Sequence, residues 1–344
     1  MPIYVNGTLN FGDNTEATPA EGDIWYDDGK FYFGTSQTFP SAWFAGGNMG
    51  TAKWRAAAAG TQVAGLCMGG ADGSGSLEDT EEYDGTSWSG GGDLITDRQA
   101  LAGCGTQSAG LCMGGGTGTG GQEMNDTEEY DGSAWSSGGD IATARDLLAG
   151  CGSQSAGLCM GGAWYGMNRA HTEEYDGTSW SAGGWLYNAA KALGGCGTVL
   201  AGLAMGGEAD VTQEYDGTSW STGGNLLSGR EGNAAAGTQS AGLCMGGTSD
   251  ESSTELYNGT SWSAGSDLLI GRGSSSGCGS QSTALCMGGY TSGGPDLRTY
   301  TTEEYREDLG LRESNRNPHS NSEGDIATRA SYGLFNASSD LGEE

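Results

Sequence analysis

The eleven residues GTQSAGLCMGG, at positions 105–115, recur almost unchanged along the chain. The stretch returns at 152–162 as GSQSAGLCMGG and at 237–247 as GTQSAGLCMGG. Its closing Met-Gly-Gly triplet occurs six times, beginning at Met68, Met113, Met160, Met205, Met245 and Met287. A stretch that returns at nearly regular spacing indicates a repeat architecture, in which each copy folds as one small supersecondary unit.

Two further landmarks follow each copy in a fixed order. The first is TEEYDGTSW or a close variant, in which a tyrosine precedes a tryptophan by five positions, as in Tyr83 and Trp88. The second is a basic residue about ten positions after the tryptophan. Counting outward to both ends of the chain gives seven such residues: Lys53, Arg98, Arg145, Lys191, Arg230, Arg272 and Arg329.

Each unit divides into four short strands. A run of small residues such as LLAGCG forms the first strand, AGLCMGG the second, TEEY the third, and the tryptophan lies in the fourth. Asp-Gly between the third and fourth strands favours a tight turn. Four strands in each unit of about 40–50 residues is the period of a β-propeller, so we predict an all-β fold.

The combination of landmarks resembles the kelch-type β-propeller over residues 22–340, although the Tyr–Trp spacing is tighter than the usual kelch pattern. The sequence motif GTQSAGLCMGG…TEEYDGTSW is also similar to repeats in virion proteins of tailed phages, particularly marine phages. The segment GDIWYDDGKFYF, at 22–33, looks like parts of phage tail and fibre proteins. This resemblance implies a virion protein with a structural or host-attachment role.

The number of blades depends on how the chain ends are used. Five units are complete, whereas the sixth stops at Tyr305 and is followed by an insertion at 306–322. We predict seven four-stranded blades, with the seventh shared between 22–47 and 325–338, so that strands from both termini close the ring. The alternative is six blades, with the N-terminus supplying only an outer strand. Residues 1–21 form a leader and 341–344 a tail.

Composition and charge exclude several classes of partner. The 344 residues carry a formal net charge of −30, which repels phosphate backbones and argues against nucleic-acid binding. No apolar run is long enough to span a bilayer, so we expect no membrane insertion. The N-terminus lacks the pattern of a signal peptide, so we expect assembly in a cytoplasm. The resemblance to phage proteins implies a host cytoplasm and a final location in the virion.

The nine cysteines are expected to be reduced and structural. Alanine replaces cysteine at equivalent places in some units, which is typical of a small buried apolar slot. Disulfides across the first hairpin, for example between Cys104 and Cys112, are the alternative. Cys/His clusters of zinc-site spacing are absent, so we expect no cofactor. The many carboxylates of the TEEY strands leave a structural calcium ion as the exception.

The seven basic landmarks are candidate ligand-binding residues. Each precedes a first strand, so all seven are expected to circle one mouth of the central channel and to bind a carboxylate or an acidic glycan. In the alternative reading each pairs with an aspartate of the GGDL-like turn, Asp93, Asp140 or Asp267, and joins adjacent blades.

The loops between second and third strands vary most between units, at 116–126, 163–171 and 290–300. Variable loops on a repeated frame are where recognition usually resides. Trp164, Tyr165, Tyr290 and Tyr300 are therefore candidates for stacking on sugars or on a partner protein. The expected function is non-enzymatic binding of a virion partner or a host-surface glycan. The alternatives are a carbohydrate-active propeller enzyme and a cellular kelch-type scaffold that binds acidic peptides.

Overall fold

A computed structural model describes residues 41–118, 122–249, 251–291 and 298–306, together with the backbone of two strands near the N-terminus. Those two strands, Ile24–Asp27 and Lys30–Phe33, pair antiparallel as a separate two-stranded sheet. Residues 40–308 form a compact unit of their own. Within the described residues, no helix has the length and apolarity needed to cross a membrane.

Six four-stranded antiparallel sheets make up the compact unit, and we number them as blades in chain order. The strands of each blade are named here in spatial order, from the innermost to the outermost. Blade 1 contains Ala57–Thr61, Ala64–Met68, Thr80–Tyr83 and Trp88–Gly90. Blade 2 contains Ala102–Thr106, Ala109–Met113, Thr127–Tyr130 and Trp135–Ser137. Blade 3 contains Ala149–Ser153, Ala156–Met160, Thr172–Tyr175 and Trp180–Ala182.

The second half of the ring follows the same plan. Blade 4 contains Leu193–Thr198, Ala201–Gly206, Thr212–Tyr215 and Trp220–Thr222. Blade 5 contains Ala234–Thr238, Ala241–Met245, Thr254–Tyr257 and Trp262–Ala264. Blade 6 contains Ser276–Gly279, Thr283–Met287, Thr302–Arg306 and the N-terminal strand Ala42–Ala45. Two small ladders lie in the loops of blades 2 and 3: Gly116–Thr117 with Gln122–Glu123, and Ala163–Trp164 with Met167–Asn168.

The ring closes with six blades. The innermost strand of blade 6 packs against that of blade 1, and all six innermost strands line a narrow axial channel of about 110 Å³. The fold is therefore the predicted all-β propeller, but the prediction of seven blades is wrong and the six-blade alternative is confirmed. Two of the strands assigned to a seventh blade form the separate hairpin instead, and 325–338 lie outside the described residues, as does most of the insertion at 306–322.

Close contact between blades explains why the repeated stretch is so constant. A Cβ added at Gly110, in the second strand of blade 2, would lie 2.6 Å from Leu66 Cδ2 of blade 1. Gly114 of the closing triplet adopts a left-handed φ of 63°, and a Cβ there would lie 2.8 Å from the Arg145 carbonyl oxygen. Only glycine fits both the backbone angle and the narrow gap between blades, so each blade repeats the same residues.

The core consists of apolar layers between neighbouring blades. One layer joins Leu66 and Met68 of blade 1 to Cys112, Tyr130 and Trp135 of blade 2. Polar bridges cross the same boundaries. The tryptophan Nε1 in the outermost strand of each blade donates to a threonine Oγ1 of the preceding blade, as in Trp135 to Thr80 at 3.0 Å. A single blade cannot bury both faces, so stability depends on neighbours.

The propeller has two chemically different ends. The turns between innermost and second strands and between third and outermost strands form one end, which we call the turn face. The loops between second and third strands, together with the connections from one blade to the next, form the other end, which we call the loop face.

Candidate functional site

The basic residues of the repeat lie inside the protein. Arg98 has no exposed surface, and its Nη2 donates to Glu128 Oε1 at 2.5 Å. Its Nη1 donates to the carbonyl oxygens of Gly114 and Asp126, so the guanidinium is tied to blade 2. The backbone N–H of Arg98 donates to Leu77 O of blade 1. Arg98 therefore joins two consecutive blades.

The same position recurs at each blade boundary, four residues after a buried residue of the connection such as Leu94. The residue there pairs with the first glutamate of the TEEY strand in the following blade. The pairs are Lys53–Glu81, Arg98–Glu128, Arg145–Glu173, Arg230–Glu255 and Arg272–Glu303. All five basic residues are 0–6% exposed.

Blade 4 is the exception. Ala190 occupies the position of Arg98, since its N–H donates to Arg169 O in the way that Arg98 N–H donates to Leu77 O. The glutamate is replaced by Gln213, which is buried. Lys191 follows Ala190, is partly exposed, and pairs with Glu208 at 3.4 Å. Lys191 therefore lies one residue beyond the position of Arg98, and the prediction that it belongs to the recurring basic set is wrong.

These positions correct the predicted ring of solvent-facing cations. Lys53, Arg98, Arg145, Arg230 and Arg272 are buried at blade boundaries and do not line the channel mouth. Their carboxylate partners are strand glutamates, joined in blade 1 by Asp79, rather than Asp93, Asp140 or Asp267. Arg329 lies outside the described residues.

The second glutamate of each TEEY strand has a different partner. Tyr130 OH of blade 2 donates to Glu82 Oε1 of blade 1 at 2.6 Å, and equivalent bonds join blades 2 to 3, 3 to 4, 4 to 5 and 6 to 1. Burial, with the hydrogen bond to Glu82, raises the pKa of Tyr130 to about 12. The TEEY carboxylates thus stabilise blade contacts. Among the described residues, no group of three or more His, Cys, Asp or Glu side chains is placed to hold a metal ion.

All nine cysteines are buried and free of disulfides, as predicted. Cys104 lies opposite Leu111, and Cys112 lies opposite Gly103, so the two thiols of this hairpin are not cross-strand partners. Burial raises the pKa of Cys112 to about 12, which keeps the thiol protonated and unreactive at neutral pH.

The loop-face mouth of the channel is closed by a ring of backbone hydrogen bonds. The N–H of Ala100 donates to Arg55 O, Leu147 to Ala100, and so on around the axis until Arg55 N–H donates to Ser274 O. Ser274, Arg55, Ala100, Leu147 and Ala192 adopt left-handed φ angles of 51–54°. The ring surrounds a cup of about 100 Å³, too small to enclose a sugar ring with its hydroxyl groups.

Exposed apolar side chains are concentrated on the loop face. Of thirteen exposed large apolar residues in the described part of the chain, eleven lie there: Ile95, Trp164, Tyr165, Met167, Trp185, Tyr187, Leu227, Leu269, Ile270, Tyr290 and Tyr300. The other two of these thirteen residues, Val63 and Leu200, lie on the turn face. The turn face instead carries exposed aspartates, such as Asp84, whose pKa is lowered by hydrogen bonds from the backbone N–H groups of Ser87 and Thr86.

The four aromatic residues singled out in the sequence fall into two places. Trp164 and Tyr165 lie in the loop of blade 3, with ring centroids 5.0 Å apart. Tyr290 and Tyr300 lie in the loop of blade 6, where Tyr290 packs 6.0 Å from Trp54. Blades 3 and 6 are three apart in a ring of six and therefore lie on opposite sides of the axis, so the four residues do not form one site.

Sequence reasoning missed Trp185 and Tyr187, which are 66% and 73% exposed. They lie in the connection from blade 3 to blade 4, where the Trp185 ring packs at a tilt against His171, with centroids 5.0 Å apart. The sequence does contain a signal for these two residues. The connection from blade 3 to blade 4 reads GGWLYNAAK, whereas the connection from blade 1 to blade 2 reads GGDLITDRQ. We call Trp164, Tyr165, Met167, Trp185 and Tyr187 the blade 3 aromatic cluster.

Comparison with known proteins supports the fold alone. The sequence matches no protein-family model and shows no significant match to a curated protein sequence. Among solved structures, the chain is similar to one titled "Structure of YjhT", with a TM-score of 0.61 and 14% sequence identity. The similarity covers 74% of this chain and 95% of the other. At this identity the similarity indicates a shared propeller architecture.

Proposed function

We propose that this protein is a non-catalytic binding component of a tailed-phage virion, and that its loop face contacts another virion protein or a host-surface glycan. The observation that carries the proposal is the asymmetry between the two ends. Eleven of the thirteen exposed large apolar side chains in the described residues lie on the loop face. Concentrated apolar surface on a soluble protein marks an interaction site.

The repeated polar residues support the same view. Arg98 and Glu128 pair with each other, Tyr130 binds Glu82, and Gln107 donates to Gly65 O and Tyr83 O of the preceding blade. These side chains bind blade to blade and are not available for a ligand. The features that differ between blades lie on the loop face, where a rigid frame presents them.

The distribution of charge favours binding of a partner at the loop face. The chain carries a formal net charge of −30, and the turn face holds Asp84, Asp131, Asp176 and Asp216 as exposed residues. Like charges repel, so the turn faces of neighbouring copies resist association. Five of the seven basic residues expected to attract acidic peptides are buried, which disfavours the acidic-peptide scaffold as an alternative.

The proposal is tested by measuring how strongly this protein binds to host cells and to purified virion proteins. Replacing Leu227, Leu269 and Trp164 with serine should reduce binding, since each removes apolar contact area from the loop face. The matched control replaces Val63 and Leu200 on the turn face with serine and should bind as the unmodified protein does. Equal binding by both variants, with both folded by circular dichroism, would exclude the loop face as the contact surface.

A further inference from the structure

Departures from the repeat are concentrated at the boundary between blades 3 and 4. Trp185 stands where three of the other connections have Asp93, Asp140 and Asp267. Two buried interactions that join the other blades are also missing at this boundary. The first is the Arg–Glu pair, which Ala190 and Gln213 replace, as described above.

The third departure is at the turn of the first hairpin. Gln107 donates two hydrogen bonds to carbonyl oxygens of the preceding blade, and Gln62, Gln154, Gln239 and Gln281 do the same at their boundaries. Blade 4 has Val199 at this position, and Val199 packs partly buried against the apolar layer. The boundary between blades 3 and 4 thus lacks both the Arg–Glu pair and the glutamine bonds, and such local inconsistencies are expected at functional sites.

Hydrogen bonds join the loop of blade 3 to the connection that follows this blade. Arg169 lies over the Trp164 ring at 4.8 Å, and Arg169 O accepts the N–H of Ala190 at 3.2 Å. Leu186 N–H donates to Ala170 O at 2.8 Å. These bonds hold the loop of blade 3, with Trp164 and Tyr165, against the connection that carries Trp185 and Tyr187.

The charges around the cluster are balanced. Lys191 pairs with Glu208, and its Nζ donates to Gly166 O at 3.3 Å in the loop of blade 3. Burial and the nearby Arg145 and Arg169 lower the pKa of His171, so its imidazole is neutral at pH 7. Glu123 is occupied by the Tyr165 N–H at 2.7 Å. An anionic ligand gains little here and is repelled by the net charge of the chain.

Polar side chains lie beside the rings. Arg169 and His171 are partly exposed and pack against the rings of Trp164 and Trp185, and their buried Nε and Nδ1 atoms have no hydrogen-bond partner. Flat aromatic rings next to hydrogen-bonding groups suit a ligand with an apolar C–H face and hydroxyl groups at its edge, which is the chemistry of a sugar ring.

We propose that the blade 3 aromatic cluster is a binding site for neutral carbohydrate. The proposal rests on the proposed function and assigns the glycan contact to one part of the loop face. Sugar rings stack on Trp164, Tyr165, Trp185 and Tyr187, while Arg169 and Asn168 lie within the same loop to meet hydroxyl groups.

Binding of the full chain to a panel of neutral oligosaccharides, with sulfated and uronic-acid counterparts, tests the site. We expect binding to neutral members, weakened about tenfold or more in the Trp164→Ala/Tyr165→Ala and Trp185→Ala/Tyr187→Ala variants. The Val63→Ser/Leu200→Ser variant is the matched control and should retain the affinity. Thermal melting of each variant separates lost binding from lost folding.

The result that overturns the site is binding to none of the neutral glycans, binding to the acidic members only, or undiminished binding by both double variants. In each case the loop face can still dock a virion protein, and a Leu227→Ser/Leu269→Ser variant, which leaves the blade 3 aromatic cluster intact, measures that separately. Failure of the carbohydrate site is therefore distinguishable from failure of the proposed function.

Discussion

Trp43 lies directly opposite Tyr305 in the outer strand pair of blade 6, with ring centroids 5.1 Å apart. In the other five blades the equivalent pair comes from a single hairpin, as with Tyr83 and Trp88. Trp43 Nε1 also donates to Thr254 Oγ1 of blade 5, the bond that Trp88 makes to Thr302. An N-terminal strand thus supplies the tryptophan that the sixth unit lacks, and the ring is closed by the two ends of the propeller.

The buried pair of Arg98 and Glu128 predicts a specific stability pattern. Arg98→Ala leaves Glu128 buried without its cation, so the free energy of unfolding should fall by about 3–5 kcal/mol. Arg98→Ala with Glu128→Gln copies the natural Ala190–Gln213 arrangement and should cost clearly less. Urea unfolding at pH 7 measures both. Equal losses in the single and double variants would show that the unpaired Glu128 carboxylate is not the source of the loss.

Thiol reactivity reports whether the cysteines are packed as described. All nine are buried, and burial raises their pKa values, so a thiol reagent at pH 8 should label the native protein slowly and the unfolded protein at all nine positions. A reductant should leave the melting temperature unchanged, since no disulfide is present. Rapid labelling of several native thiols would contradict the packing between blades.

Stability should decline at alkaline pH. The pKa of Cys112 and Cys104 rises from 9.0 to about 12 on folding. Below pH 8 the thiols are protonated in both states, and their contribution is complete. Above pH 9 the unfolded chain releases protons that the folded chain keeps, so each thiol lowers the free energy of unfolding by up to about 1.4 kcal/mol per pH unit.

Urea midpoints measured from pH 7 to pH 10 check this slope. The control is Cys112→Ala, because Ala204 fills the same position in blade 4. The variant should lose less stability over that range. A midpoint that stays constant to pH 10 would mean that the thiols are not shielded from solvent.

The sequence predicted the blade well because periodicity and turn chemistry are local. Asp84 and Gly85 form the tight turn, and the Met-Gly-Gly triplets end the second strands as expected. The closure was harder to predict because the pairing of Trp43 with Tyr305 is long-range and leaves no spacing signal. The strand containing Trp43 was recognised, but it was assigned to a seventh blade.

The candidate site was predicted in part. Trp164 and Tyr165 were found because their loop departs from the repeat, and they are exposed. The burial of Arg98 was not visible in the sequence, since a recurring basic residue fits both a ligand ring and an ion pair. Counting ten residues from Trp180, or four from Leu186, identifies Ala190 rather than Lys191 as the equivalent of Arg98 and reveals the unusual boundary.

Two N-terminal truncations test the central claim, the six-bladed ring closed by Ala42–Ala45, most directly. Removing residues 1–39 keeps this strand, whereas removing residues 1–47 deletes it. We expect the longer truncation to melt about 10 °C or more below the shorter one, because it exposes the surface covered by Trp43 and unpairs the edge of blade 6. Equal melting temperatures for the two truncations would contradict the closure.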